Sequence, residues 1–168
     1  LMTGENGKGE IIPNPATIEN NNVVPLPVKK PTHAERFLGD FSFIQELEGT
    51  KSTGYVPTQN GEVLGNSGVT IASGFDLGQR KNADLAGLPP ELIEKMRPYL
   101  GVKGKDALNL DYKNLNLTDE EVLTVNKFAT NEALSKLNKS FEATTGQSFY
   151  GLPEAAQTVI ASVAFQYG

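Results

Sequence analysis

Residues 54–78, "GYVPTQNGEVLGNSGVTIASGFDLG", constrain the fold more than any other stretch of the chain. They are rich in Gly, Val and Thr, a composition that favours short strands and turns over a helix. Asn60-Gly61 is the strongest short-range hairpin signal, because both central residues of a type I′ turn need positive φ. Asn66-Ser67-Gly68 predicts a second turn. Two turns divide the stretch into a small sheet of three short strands, the last around residues 69–71. After that strand a single carboxylate, Asp76, stands in an otherwise apolar, Gly-framed turn. Asp is a common turn residue, since its side chain bonds the nearby backbone. The other reading makes it half of a catalytic pair whose partner lies upstream.

Helical patterns flank the sheet. In "DFSFIQELEG", Phe41, Ile44 and Leu47 recur at helical spacing and Gly49 is placed to stop the helix. Downstream, "LPPELIEKMRPYLG" has Pro at a helix start, with Leu92, Ile93, Met96 and Leu100 as an apolar stripe. A capping box, Thr118 to Glu121, opens a long helix striped by Val122, Val125, Phe128, Ala129, Ala133, Leu137 and Phe141. A last helix from Pro153 is apolar on Ala156, Val159, Ile160, Val163 and Ala164. A helix so apolar is expected to be central in a bundle, so further helices are expected beyond Gly168. The order of helix, small antiparallel sheet and helical lobe is an α+β plan, with a cleft between sheet and helices as the natural place for an extended ligand.

Residues 1–39 are expected to be a linker or the end of an upstream module, leaving 40–168 as the folded domain. Their five Pro and Asn triplet, without helical or alternating period, favour an extended chain. The polar start shows no signal peptide, and no apolar run approaches the length of a membrane span. The absence of Cys excludes a disulfide framework and thiolate metal sites, and the single His33 lies in the tail. A net charge of −5 argues against a nucleic-acid partner.

Two carboxylates precede the sheet. With Phe41 set at 0° on a helix, Ile44 and Leu47 fall at about 300° and 240°; Glu48 then falls at about 340°, on the apolar side, and Glu46 at about 140°, opposite. Glu46 reads as a solvated surface residue. Apolar neighbours and the negative end of the helix dipole both favour the protonated form of Glu48. A carboxyl group kept protonated near neutral pH is what the general acid of a glycosidase requires. The plainer alternative is that Glu48 borders the core and binds a basic residue.

Taken together, "ELEG…GVTIASGFDLG…VIASVAFQYG" resembles the phage-type lysozymes, and within them the pesticin-like toxin branch. Glu48-Gly49 matches the Glu-Gly pair that closes the family's first helix. Residues 70–74 match its Thr-Ile-Gly-x-Gly strand, and residues 165–168 its late Phe-Gln-x-Gly. The pesticin-like branch shares the Asp after the strand's Thr, in a Gly-Phe-Asp-Leu-Gly setting. The resemblance covers residues 40–168. It implies a muramidase that cleaves the β-1,4 bond between N-acetylmuramic acid and N-acetylglucosamine in peptidoglycan, with inversion and without metal or organic cofactor. It assigns Glu48 as general acid, Asp76 as base or electrostatic partner and Thr70 as the water-holding residue; Tyr55, Ser73 and Gln79 are expected as substrate contacts. It further implies an antibacterial toxin, effector or endolysin that reaches a target periplasm behind an upstream delivery module, with an immunity protein as a possible partner. Ala72 and Phe75 depart from the phage pattern, which has Gly and His there. The competing expectation is a wall-binding or spacer module without chemistry.

Overall fold

The Asn60-Gly61 turn forms as its sequence dictates. In the computed structural model, which describes residues 30–39 and 50–167, Asn60 and Gly61 have φ of 54° and 81°. They join β2 (Thr58–Gln59) to β3 (Glu62–Val63) in a two-stranded antiparallel ribbon. The main sheet is separate. It has three antiparallel strands in the order β1-β4-β5, with β1 at Lys51–Tyr55, β4 at Thr70–Ala72 and β5 at Phe75–Asp76. The expected last strand therefore continues through a tight turn into another, and Asp76 lies on that strand rather than beyond the sheet. The turn needs left-handed backbone at Ala72 (φ 56°) and Gly74 (φ 87°), the former unusual for a residue with a Cβ. The second expected turn falls slightly early, around Gly65, where the Ser67 N–H donates to the Leu64 carbonyl.

The helices at Pro90 and after Thr118 start where expected, and the helix expected over 41–48 lies outside the described residues. A four-residue α1 (His33–Arg36) precedes the sheet. After it come α2 (Pro90–Met96), α3 (Lys105–Leu108), α4 (Asp119–Thr145) and α5 (Glu154–Tyr167). Both halves of the α4 capping box are present: the Glu121 N–H donates to Thr118 Oγ1 at 3.1 Å, and the Thr118 N–H to Glu121 Oε1 at 3.0 Å. Gly146, at φ 72°, ends the helix with its N–H on the Glu142 carbonyl. The 27 residues of α4 make a rod about 40 Å long.

That length lets α4 serve two cores. Val122 and Val125 join Val69, Ile71, Phe75, Leu77, Leu92 and Met96 beneath the sheet. Further along, Leu134 packs with Phe37, Phe149 and Ala161. The expected stripe is correct at Val122 and Val125, but Leu134 and Asn138 are buried while Ala133, Leu137 and Phe141 are only half-buried. In α5 the inward residues are Gln157 and Ala161, both at 0% exposure, while Val159 and Val163 face outward at 62% and 54%. Among the described residues nothing covers that outward apolar face.

Residues 31–39 were expected to belong to a tether, and they do not behave as one. Thr32 caps α1 in a second capping box. Phe37 is buried and stacks on Phe149 at 6.2 Å between centroids. The Leu38 N–H donates to Gln157 Oε1, the Ala34 N–H to Asn131 Oδ1, and His33 Nδ1 lies 2.6 Å from Tyr150 Oη. The compact unit thus starts at Pro31. Local Pro content hid this, because the anchoring contacts come from residues about a hundred positions away.

Candidate active site

Of the expected site residues, Glu48 lies outside the described residues, as does Glu46. The other five are described, and the sheet brings three of them into one row. Tyr55 on β1 is the register partner of Thr70 on β4, which in turn is the register partner of Asp76 on β5. Directly opposed residues of antiparallel strands project to the same face, so Tyr55, Thr70 and Asp76 share a face.

Thr70 and Asp76 also share a backbone residue. Thr70 is buried, and its hydroxyl donates to the Gly68 carbonyl at 3.1 Å. Gly68 N–H donates to Asp76 Oδ1 at 3.0 Å, and Gly78 N–H donates to the same oxygen at 2.9 Å. The second of these bonds is local, an Asx-type cap on the 3-10 turn Leu77–Gln79. The first reaches back across the hairpin. Both require glycine at their donors: a Cβ on Gly68 would meet the Val102 carbonyl oxygen at 2.3 Å and Gly78 Cα at 2.5 Å, and one on Gly78 would meet Gly68 Cα at 2.7 Å. Two backbones touching at van der Waals range thus fix one oxygen of Asp76. Among the described residues, Oδ2 has only a long contact, 3.5 Å, from Gln79 Nε2.

The expected substrate contacts are engaged with the protein. Gln79 Nε2 donates to the Asn66 carbonyl at 2.7 Å. Ser73 Oγ lies 3.2 Å from Thr50 Oγ1, and the Ser73 N–H donates to Asn126 Oδ1 at 3.1 Å. Asn126 is a tie that sequence reading missed: it fastens the β4–β5 turn to α4. Its Nδ2 is buried without a hydrogen-bond partner among the described residues. A cavity of about 330 Å³ lies beside it, bordered by Thr50, Ser52, Asp119 and Val122.

A second tie lies on β5. Phe75 packs edge-on to Phe128 of α4 and lies under the Arg80 guanidinium, 3.8 Å from the ring centroid. Arg80 Nη1 bonds both carboxylate oxygens of Glu132, at 3.0 and 2.9 Å. Arg80 and Glu132 are too distant in sequence for any local pattern to pair them. No group of His, Cys, Asp or Glu among the described residues could hold a metal ion.

A small antiparallel sheet joined to helices, with a Thr-Asp pair facing across its hairpin, defines an α+β protein consistent with a lysozyme-like fold. The family comparison is specific: residues 39–168 match the Pesticin family, described as "Bacterial toxin homologue of phage lysozyme, C-term". The chain belongs to that family. Membership implies a toxin domain of phage-lysozyme type whose substrate is peptidoglycan. A comparison with curated proteins returns no match. Among the described residues, no helix is long and apolar enough to cross a membrane.

Proposed function

We propose that the domain is an N-acetylmuramidase that cleaves the β-1,4 bond between N-acetylmuramic acid and N-acetylglucosamine by an inverting acid/base mechanism. The observation that supports this best is the cross-strand pairing of Thr70 with Asp76 through Gly68. Because the Thr70 proton is committed to the Gly68 carbonyl, its oxygen can only accept from a water. Asp76 Oδ1 is occupied by two N–H donors, so Oδ2 is the oxygen that takes up a proton. A water donating one proton to Thr70 and one to Asp76 turns its lone pair toward an anomeric carbon. Glu48, as general acid, protonates the leaving oxygen, and Asp76 removes the water's proton as the new bond forms. Inversion needs the two carboxyl groups about 6.5–9.5 Å apart. Tyr55, Ser73 and Gln79 contact the glycan in this reading, with Ser73 and Gln79 exchanging present partners for substrate.

The decisive experiment compares Glu48→Gln with Glu46→Gln on dye-labelled cell walls. Glu48→Gln loses activity by several orders of magnitude and Glu46→Gln stays near wild type; the reverse pattern overturns the assignment of the acid. The first-formed anomer, read by NMR, decides inversion.

A second reading, a wall-binding module without chemistry, draws on the same clamp, since two N–H donors on Asp76 Oδ1 also suit a turn cap. Wall binding without release of reducing ends would establish it. For delivery, the reading extends to a toxin or effector carried into a target periplasm by an upstream module, with an immunity protein in the producer.

A further inference from the structure

The hairpin that sets Thr70 opposite Asp76 reverses between Ile71 and its register partner Phe75, through Ala72, Ser73 and Gly74. Gly74, at φ 87°, takes the left-handed conformation freely, whereas Ala72, at φ 56°, takes it against its Cβ. The apex between them is gripped from outside the hairpin. The Ser73 N–H donates to Asn126 Oδ1 at 3.1 Å, and Ser73 Oγ lies 3.2 Å from Thr50 Oγ1. Asn126 stands on a firmly seated part of α4: Val125 beside it is fully buried, and Phe128 meets Phe75 edge-on with 6.1 Å between centroids. Asparagine at this place also carries a cost. Its Nδ2 is buried with no hydrogen-bond partner among the described residues, a penalty that an aliphatic side chain would not incur. What an aliphatic side chain could not supply is the oxygen that holds Ser73.

We propose that Asn126 is a positioning residue for Asp76: through the Ser73 amide it holds Ala72 left-handed and so fixes the register that pairs Asp76 with Thr70. Its effect on catalysis rests on the muramidase reading above. In a hairpin, loop conformation and strand register are a single choice. If Ala72 relaxed into an ordinary backbone region the loop would change type, and a slip of one residue would turn Asp76 to the other face of the sheet. Buried Ile71 and Phe75 hold the middle of the hairpin, and the Gly68 and Gly78 N–H groups hold Asp76 at its open end. The apex is where the left-handed strain sits, and Asn126 is the side chain that holds it there. Glycine at position 72 would adopt the same loop without an outside hold. Ala72 and Asn126 are therefore coupled: the first makes the second necessary.

The test compares the full 168-residue chain with Asn126→Ala, Ala72→Gly and the double variant, after thermal melting has shown which of them fold. Two quantities are read: kcat and KM for reducing-end release from soluble glycan strands, and amide exchange at Gly68 and Gly78 relative to the amides of α5. Asn126→Ala should lower kcat by about 10- to 100-fold, the scale of a misplacement of about 1 Å, and leave KM unchanged. Its exchange at Gly68 and Gly78 should quicken relative to α5. Ala72→Gly should match the wild type, and the double variant should recover most of the lost kcat and protection, a non-additivity that marks direct coupling. A tie that served stability alone would lower the melting temperature and leave kcat per folded molecule intact; that result overturns the proposal. Unchanged exchange at Gly68 and Gly78 in Asn126→Ala overturns it too, as does a double variant no better than Asn126→Ala. If Asn126→Ala does not fold, the double variant decides: restored folding with wild-type exchange at both glycines supports the proposal, and an unfolded double overturns it. A wild type that releases no reducing ends defeats the muramidase reading alone, and the exchange measurements then decide the hold by Asn126.

Discussion

Thr70 and Asp76 stand opposite each other across the β4–β5 hairpin, yet what joins their side chains is one backbone residue. Gly68 gives its carbonyl to the Thr70 hydroxyl and its N–H to Asp76 Oδ1. The pair is therefore held by main chain, and the substitutions that separate its chemistry from its architecture can be chosen in advance.

Asp76→Asn keeps an oxygen for the Gly68 and Gly78 N–H groups and removes the carboxylate. It should fold with a melting temperature near wild type and lose wall hydrolysis almost completely. Asp76→Ala strips the acceptor from two N–H groups, at about 1–3 kcal/mol for each donor left unsatisfied. Denaturant unfolding should therefore rank Ala well below Asn, while the wall-release assay finds both inactive. Equal stability of the two variants would show that the clamp contributes nothing to folding.

Gly68→Ala and Gly78→Ala put a Cβ at 2.3–2.7 Å from backbone atoms, which cannot move aside as a side chain can. Each should destabilise the fold by about 1–3 kcal/mol or more, as overpacking does. Because the glycines touch each other, the double variant should lose less than the sum of the singles. Four urea titrations, of the wild type, the two single variants and the double, measure all of this.

Asn126→Asp retains an acceptor for the Ser73 N–H, while Asn126→Ala removes it. The alanine variant should be the less stable, by about 1–3 kcal/mol for the orphaned amide. Amide hydrogen exchange at Ser73 reports the loss directly: protection falls in Ala and persists in Asp at neutral pH.

Stability should fall at both extremes of pH. The hydrogen bond from Lys95, reinforced by the Thr118 N–H, holds the Glu121 carboxyl below its ordinary value of 4.5. A lowered folded-state pKa gives stabilisation that is present above pH 4.5 and lost as pH falls through the folded value. Burial, aided by Glu142 and opposed by Arg36, raises Tyr150 above 10.0, and burial with the Asp111 charge raises Tyr99 likewise. A raised pKa gives the opposite sign: the stabilisation is complete below pH 10.0 and lost as pH climbs through the folded values. Melting curves from acid to alkali should show Lys95→Met flattening the acid limb and Tyr150→Phe the alkaline limb.

What could be read from the sequence was local. The Asn60-Gly61 hairpin, the Thr118 capping box and the Pro-led helix at Pro90 each rest on neighbouring residues, and each formed. The pairing of Thr70 with Asp76 is half legible: the sequence marks both residues, but the fold-back that pairs them needs two left-handed residues, one of them Ala72, which no turn pattern signals. Gly68 and Gly78 looked like ordinary turn glycines, since their contact is made only when the hairpin closes. Asn126 carried no signal, as a polar residue early in a long helix usually faces solvent. Phe37 was lost in a Pro-rich context although its partners, Leu134 and Phe149, lie far along the chain.

The glycine contact changes how descent should be traced within this family. A search keyed to the Glu, Thr and Asp would accept a chain in which Gly68 or Gly78 had acquired a side chain, and would count it as an enzyme. Such a chain would keep its reactive groups in the alignment while losing the main-chain grip that aims them. On the muramidase reading, the two glycines are therefore diagnostic letters in their own right: a chain in which either is replaced is expected to have lost wall hydrolysis.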